Sequence, residues 1–151
     1  MIGLISCSAQ KLDHAAPARE LYTSPLFRRS LAYAEATCSV VYVLSALHDV
    51  VELDRVIESY NRRLGGKKER QAWGRRAAQR LVAEHGRDTA YMILAGSDYA
   101  DPLSVALWTL DGHRGDGWRG VARGLIHTPL AGMSVGLRLR WLNEQLAGRT
   151  A

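Results

Sequence analysis

Short apolar runs that stop at polar turns alternate along this chain with stretches in which apolar residues recur every third or fourth position. The run from Ile2 to Ser6 breaks off in Ser6-Cys7-Ser8-Ala9-Gln10-Lys11, the pattern of a buried strand entering a polar loop. Ser24-Pro25 then supplies an N-cap residue with proline at the first helical position. Phe27, Leu31 and Ala34 follow at helical spacing, which predicts a helix to about Thr37. Val40 to Ser45 is rich in β-branched residues and predicts a second strand, which runs into His48-Asp49. From Lys67 to about Glu84, Trp73, Ala77 and Leu81 repeat every fourth residue among arginines; this is an amphipathic helix that Gly74 weakens and Gly86 stops. Thr89 to Ala95 predicts a third strand, followed by Gly96-Ser97-Asp98-Tyr99. Asp101-Pro102 repeats the cap-and-proline device and predicts a helix that opens there and runs to about Leu110. Asp111 to Gly120 carries four glycines in ten residues and reads as a loop. Ser134 predicts the cap of a last helix carrying Val135, Leu139, Leu142 and Leu146.

Strands alternating with helices predict a single three-layer α/β domain over residues 1–151, a mainly parallel sheet flanked by helices and joined by right-handed crossovers. In open sheets of this kind, ligands bind beyond the carboxyl ends of the strands. If the three strands are adjacent, one cleft gathers Ser6, Cys7 and Ser8 with Lys11, then Ser45 with His48, then Gly96 and Ser97 with Asp98.

Length and composition narrow the classes. A chain of 151 residues buries enough apolar surface to fold without a disulfide or a structural metal. The two cysteines, Cys7 and Cys38, form no C-x-x-C pair and no zinc-spaced cluster, so a disulfide framework is excluded and no metal or other cofactor is implied. No apolar run approaches the roughly 18 to 20 residues of a membrane span. The first residues also lack the basic leader of a signal peptide, so the expectation is a cytoplasmic protein with no membrane partner.

Charge adds a partner class. The net charge is +5, and arginine outnumbers lysine 17 to 3. Arginine's planar fork suits phosphate and carboxylate, which favours a nucleotide or nucleic acid as partner. The charge is local: Arg62, Arg63, Lys67, Lys68, Arg70, Arg75, Arg76 and Arg80 against Glu69 make +7, on a remainder of −2. That distribution fits a phosphate-contact surface, and a solvated helix face is the plainer alternative. Arg114, Arg119 and Trp118 in the glycine loop offer a second contact or a lid.

Several side chains could carry chemistry. The Ser6-to-Lys11 turn presents two hydroxyls, a thiol, backbone amides and an ammonium, which suits a phosphate or a base edge. It lacks the glycines of a Walker or dinucleotide loop, and a serine-rich turn can equally satisfy its own backbone. Cys7 acts as a nucleophile only with a base beside it, for which His48 is the candidate; a buried structural thiol is the commoner role. His48, with Asp49 next to it, is a candidate acid or base as well as a packing residue. Asp54 and Glu58, four apart, would share a helix face as paired carboxylates, or Glu58 would pair with Arg62. His127 to Ser134 leads into the last helix, whose first amides attract anions, although a proline-and-glycine turn there is ordinary punctuation.

The order of these segments resembles a family of uncharacterised bacterial and phage domains over nearly the whole chain. It is carried by Ser6-Cys7-Ser8 with Lys11, Leu21-Tyr22-Thr23-Ser24-Pro25-Leu26-Phe27, Leu44-Ser45-Ala46-Leu47-His48, Gly96-Ser97-Asp98-Tyr99 and Pro129-Leu130-Ala131-Gly132. More distantly, the first turn resembles the domain beside the barrel of archaeosine-type transglycosylases, with YaaA proteins and uracil-DNA glycosylases as further distant likenesses. These likenesses imply an α/β domain that handles nucleic acid or modified bases. The chain departs from the pattern at Asp49, where the family has glycine, at Ser59, where it has proline, and at Asn61, where it has aspartate. The leading expectation is an N-glycosidase or base-transfer enzyme on a nucleoside, nucleotide or nucleic-acid base. Asp54 or Glu58 would then serve as the carboxylate, His48 and Tyr60 would assist the departing base, and Lys11 with Ser6 and Ser8 would bind phosphate or base. The alternatives are a non-catalytic nucleic-acid-binding module and an enzyme on a small phosphorylated metabolite.

Overall fold

The computed structural model describes residues 1–109 and 120–150. Strand β1 (Ile2–Ser6) lies at the centre of a five-stranded sheet. Its chain then forms a two-residue strand β2 (Ala16–Pro17), a single turn α1 (Ala18–Leu21) and helix α2 (Pro25–Thr37). Strand β3 (Val40–Ser45) turns back as β4 (Asp49–Glu52), and β5 (Val56–Ile57) pairs with β2 in a separate two-stranded sheet. Helix α3 (Lys67–His85) leads to β6 (Tyr91–Leu94) and α4 (Ser97–Thr109). The described chain closes with β7 (Ile126–His127) and α5 (Val135–Thr150). The main sheet has the order β4-β3-β1-β6-β7 and is parallel except for β4 against β3, an α/β domain with a mostly parallel sheet.

Alternate residues of the central strands enter two cores, which is why these strands read as continuous apolar runs. Ile2, Leu4, Tyr42, Leu44, Tyr91 and Ile93 pack with Trp73, Ala77 and Leu81 of α3 and Leu103 and Leu107 of α4. Ile5, Val41, Val43, Met92 and Leu94 pack with Phe27 and Ala34 of α2 and Leu142 of α5. Capping follows expectation at α2, where the Phe27 amide donates to Ser24 Oγ at 3.1 Å, and at α5, where the Leu137 amide donates to Ser134 Oγ at 3.3 Å. No helix among the described residues is long and apolar enough to cross a membrane.

Three expectations are corrected. Helix α4 opens at Ser97, directly off the end of β6, with Pro102 inside it; the Gly96 carbonyl accepts from the Tyr99 and Ala100 amides and starts the helix before the Asp-Pro pair is reached. Asp54 and Glu58 share no helix face, because Leu53-Asp54 is a turn and Val56–Ile57 a strand. The β-branched residues of 50–57 pair in extended ladders there, and no 3.6-residue repeat competes with them. The sheet also holds β4 and β7 in addition to the three strands expected. The glycine loop with Arg114, Trp118 and Arg119 lies outside the described residues.

Candidate functional site

The adjacent parallel strands β3, β1 and β6 end at one edge of the sheet, so Ser45, Ser6-Cys7 and Gly96-Ser97 share that edge. From β1 the chain crosses through α2 to β3, and from β6 through α4 toward β7, in opposite directions along the sheet. The crevice between the ends of β1 and β6 is therefore the topological switch point, where open sheets bind ligands. A cavity of about 470 Å³ lies there, lined by Cys7, Ser8, Ala9, Lys11, Asn61, Arg62, Arg63, Leu64, Arg70, Asp98 and Tyr99.

The loop after β1 is held by the segment before α2. The Leu12 amide donates to the Leu21 carbonyl and the Thr23 amide to that of Gln10, while Ser8 Oγ donates to the Gln10 carbonyl. These bonds set Lys11 beside two rings, its Nζ 4.7 Å from the centre of Tyr60 and 5.7 Å from that of Tyr22. Burial lowers the Lys11 pKa first, with Cys7 opposing and nearby Arg63 adding to the fall.

Beneath Lys11 lies a chain of hydroxyls. Ser45, fully buried, accepts at Oγ from the amides of Leu47 and His48, at 3.2 and 3.1 Å. Both lone pairs are then engaged, so its proton goes to Tyr60 Oη at 2.7 Å, and Tyr60 Oη shares a further hydrogen bond with Tyr22 Oη at 2.6 Å. Burial pushes the Tyr22 phenol up to about 12 and that of Tyr60 upward as well, so both remain donors at neutral pH. The Trp73 indole donates to the Ser45 carbonyl at 2.9 Å and meets Tyr99 edge-on at 5.1 Å. Tyr99 Oη lies 3.2 Å from Cys7 Sγ, and burial raises its pKa too.

The remaining expected residues fall into three groups. Cys7, Ser8, Lys11, Arg62, Arg63 and Arg70 line the cavity, while Ser6 ends β1, Gly96 lies between β6 and α4, and Ser97 opens onto a neighbouring groove. Ser45 and Tyr60 form the supporting network, and the His48 ring meets that of Tyr60 edge-on at 5.6 Å. The His48 pKa is lowered by burial and by Arg55, against Asp49, so the ring is neutral at pH 7. Asp54 and Glu58 stand apart. Asp54 is exposed and ion-paired with Arg19 at 2.8 Å, and Glu58 is exposed.

The basic segment divides into two sets. Arg62 pairs with Glu69, Arg70 with Asp98 at 3.1 Å, Arg76 with Asp49, and Arg80 with Glu52 and Glu84. Arg63, Lys67, Lys68 and Arg75 make no ion pair among the described residues. Sequence reasoning missed Tyr22 and Tyr99 as site residues, although each stands inside a segment it had picked out, and it placed Asp98 in the cleft without giving it the carboxylate role. It also missed Arg138, whose guanidinium lies 3.2 Å from where a Cβ on Gly96 would stand. Among the described residues, no group of three or more His, Cys, Asp or Glu side chains could hold a metal ion.

An α/β domain with a cationic, phenol-lined crevice at its switch point is the class that fold and site define. Residues 2–144 match the model of a family described as "Family of unknown function (DUF6884)", and the chain belongs to that family. Comparison with curated proteins finds no match.

Proposed function

We propose that the crevice binds a phosphate-bearing nucleoside, free or within a nucleic acid, and that the protein acts on its glycosidic bond by hydrolysis or base transfer. The observation that carries this reading is the cavity that brings Lys11, Arg62, Arg63 and Arg70 around a carboxylate, a thiol and a protonated phenol. The cations suit phosphate. Asp98 takes the carboxylate role first expected of Asp54 or Glu58, since it lines the cavity and they do not. In hydrolysis the C1′–N bond breaks with its electron pair leaving on the base. Water bonds to C1′ and gives a proton to Asp98, and that proton is then available to the departing base. Tyr99, which lines the cavity and is kept protonated, donates a hydrogen bond to the base as charge develops on it. The distant likenesses to archaeosine-type, YaaA and uracil-DNA glycosylase proteins point the same way. We also read the two cores as the filled faces of a three-layer domain, and the free thiols Cys7 and Cys38 as suited to the cytoplasm.

A second reading, a binding module without catalysis, is favoured by Lys67, Lys68 and Arg75 of α3, which are exposed and form no ion pair among the described residues. One experiment separates the two. The protein is incubated with modified and unmodified nucleotides and oligonucleotides, and released base is detected by mass spectrometry. Catalysis predicts release that falls on the order of 10²-fold or more in Asp98→Asn and in Lys11→Ala. Binding without release from any substrate establishes the module, and release undiminished in both variants removes the site assignment.

A further inference from the structure

We infer that the ligand of this crevice is a single-stranded polynucleotide segment, which enters along a groove between α3 and α4, rather than a free nucleotide. This rests on the reading that the crevice takes a phosphate-bearing nucleoside. A second recess of about 420 Å³ lies between α3 and α4, with Lys67 and Arg75 on one wall and Pro102, Val105 and Ala106 on the other. The crevice and this recess share two lining residues, the ion-paired Arg70 and Asp98, so one salt bridge forms the partition between them.

The cations along this path are those that form no ion pair among the described residues. Lys11 and Arg63 line the crevice, Lys67 and Arg75 line the recess, and none of the four makes an ion pair among the described residues. The fold-stabilising arginines, Arg76 and Arg80, are tied to β4 and line neither space. Arg70 at the partition has a buried Nε with no hydrogen-bond partner. Asp98 and Asp101 also face the recess, so its field comes from discrete cations and not from a uniformly positive wall.

Each space falls within the range of roughly 300 to 1,000 Å³ of small-ligand sites, so one nucleotide fits in each. A free mononucleotide leaves one pair of unpaired cations without a phosphate. A chain of nucleotides places successive phosphates against both pairs, with a base or sugar on the apolar wall of α4. A duplex keeps its bases stacked inside, whereas single strands can seat unstacked bases in recesses of this size.

The test compares, by anisotropy titration over a series of salt concentrations, labelled single-stranded DNA and RNA of about 6 nucleotides, with 5′-mononucleotides as competitors. Wild type and the double variant Lys67→Ala/Arg75→Ala, both surface positions, are measured. The wild type binds the oligonucleotide tighter than any mononucleotide by on the order of tenfold or more, with a salt slope that falls by about 1.4 in the double variant, two contacts at about 0.7 each. Mononucleotide binding is unchanged in that variant. Equal affinity for both ligands, or equal weakening of both, overturns the inference and leaves the crevice reading standing. Failure of the wild type to bind either ligand overturns that reading and the inference with it.

Discussion

Asp49 stands in the left-handed region, φ 60°, at the turn that reverses β3 into β4. Glycine reaches this region without cost. Aspartate is one of the few side chains that tolerate it, and here it also receives both arms of Arg76, at 3.0 and 3.1 Å. Asp49→Ala therefore lowers stability by about 1–2 kcal/mol, since alanine has the backbone penalty and no partner for Arg76. Asp49→Gly costs less, about 0.2–1 kcal/mol, because only a partly exposed ion pair goes. Urea unfolding of the two variants reads the difference. The phenols make a second prediction. Tyr22 and Tyr91 are pushed up to about 12 by burial, and Tyr60 and Tyr99 also move upward. A phenol with a folded value above its unfolded value of about 10 contributes stability that is full below that pH and lost as pH rises toward the folded value. Alkaline titration should show stability falling from about pH 10, with phenolate absorbance appearing together with unfolding. Ionisation of all six tyrosines near pH 10 in an intact fold would contradict this.

The packing of α3 on α4 turns on one residue that sequence patterning counts only as a weakness. A Cβ on Gly74 would lie 2.5 Å from the Pro102 carbonyl oxygen, so the two helices approach backbone to backbone at that point. Helix propensity alone says that Gly74→Ala gains about 1 kcal/mol. The contact says otherwise, because a backbone carbonyl cannot swing aside as a side chain can. Gly74→Ala should be destabilising by about 1–3 kcal/mol, read as a lower thermal midpoint. A raised midpoint would show that the helices can part at this crossing. Pro102 was likewise legible as a helix residue but not in its place, because the start of α4 is set by the end of β6 and not by the residue before the proline.

For the molecule as a whole, local pattern was enough to locate the three central strands, the helices of 25–37 and 67–85 and the last helix, because each carries its own apolar period or cap. Strand ends with serines, a thiol and a lysine were visible for the same reason. Pairing was not visible. β4 and β7 have only four and two residues and little periodic signal, and exist as strands because a neighbour supplies their hydrogen bonds. The division of the basic segment was equally hidden. Sequence shows eight cations and one acid between residues 62 and 80, but the acids that neutralise Arg70, Arg76 and Arg80 come from α4, β4 and the far end of α3. Tyr22, Tyr60 and Ser45 lie on separate segments and become one hydrogen-bonded chain only when the fold is closed. The linear order of residues thus settled which elements form and which chemical groups stand at their ends, since both depend on neighbours within a few positions. Which cations remain unpaired, and which carboxylate faces the crevice, was decided by the tertiary structure, because those contacts join residues tens of positions apart.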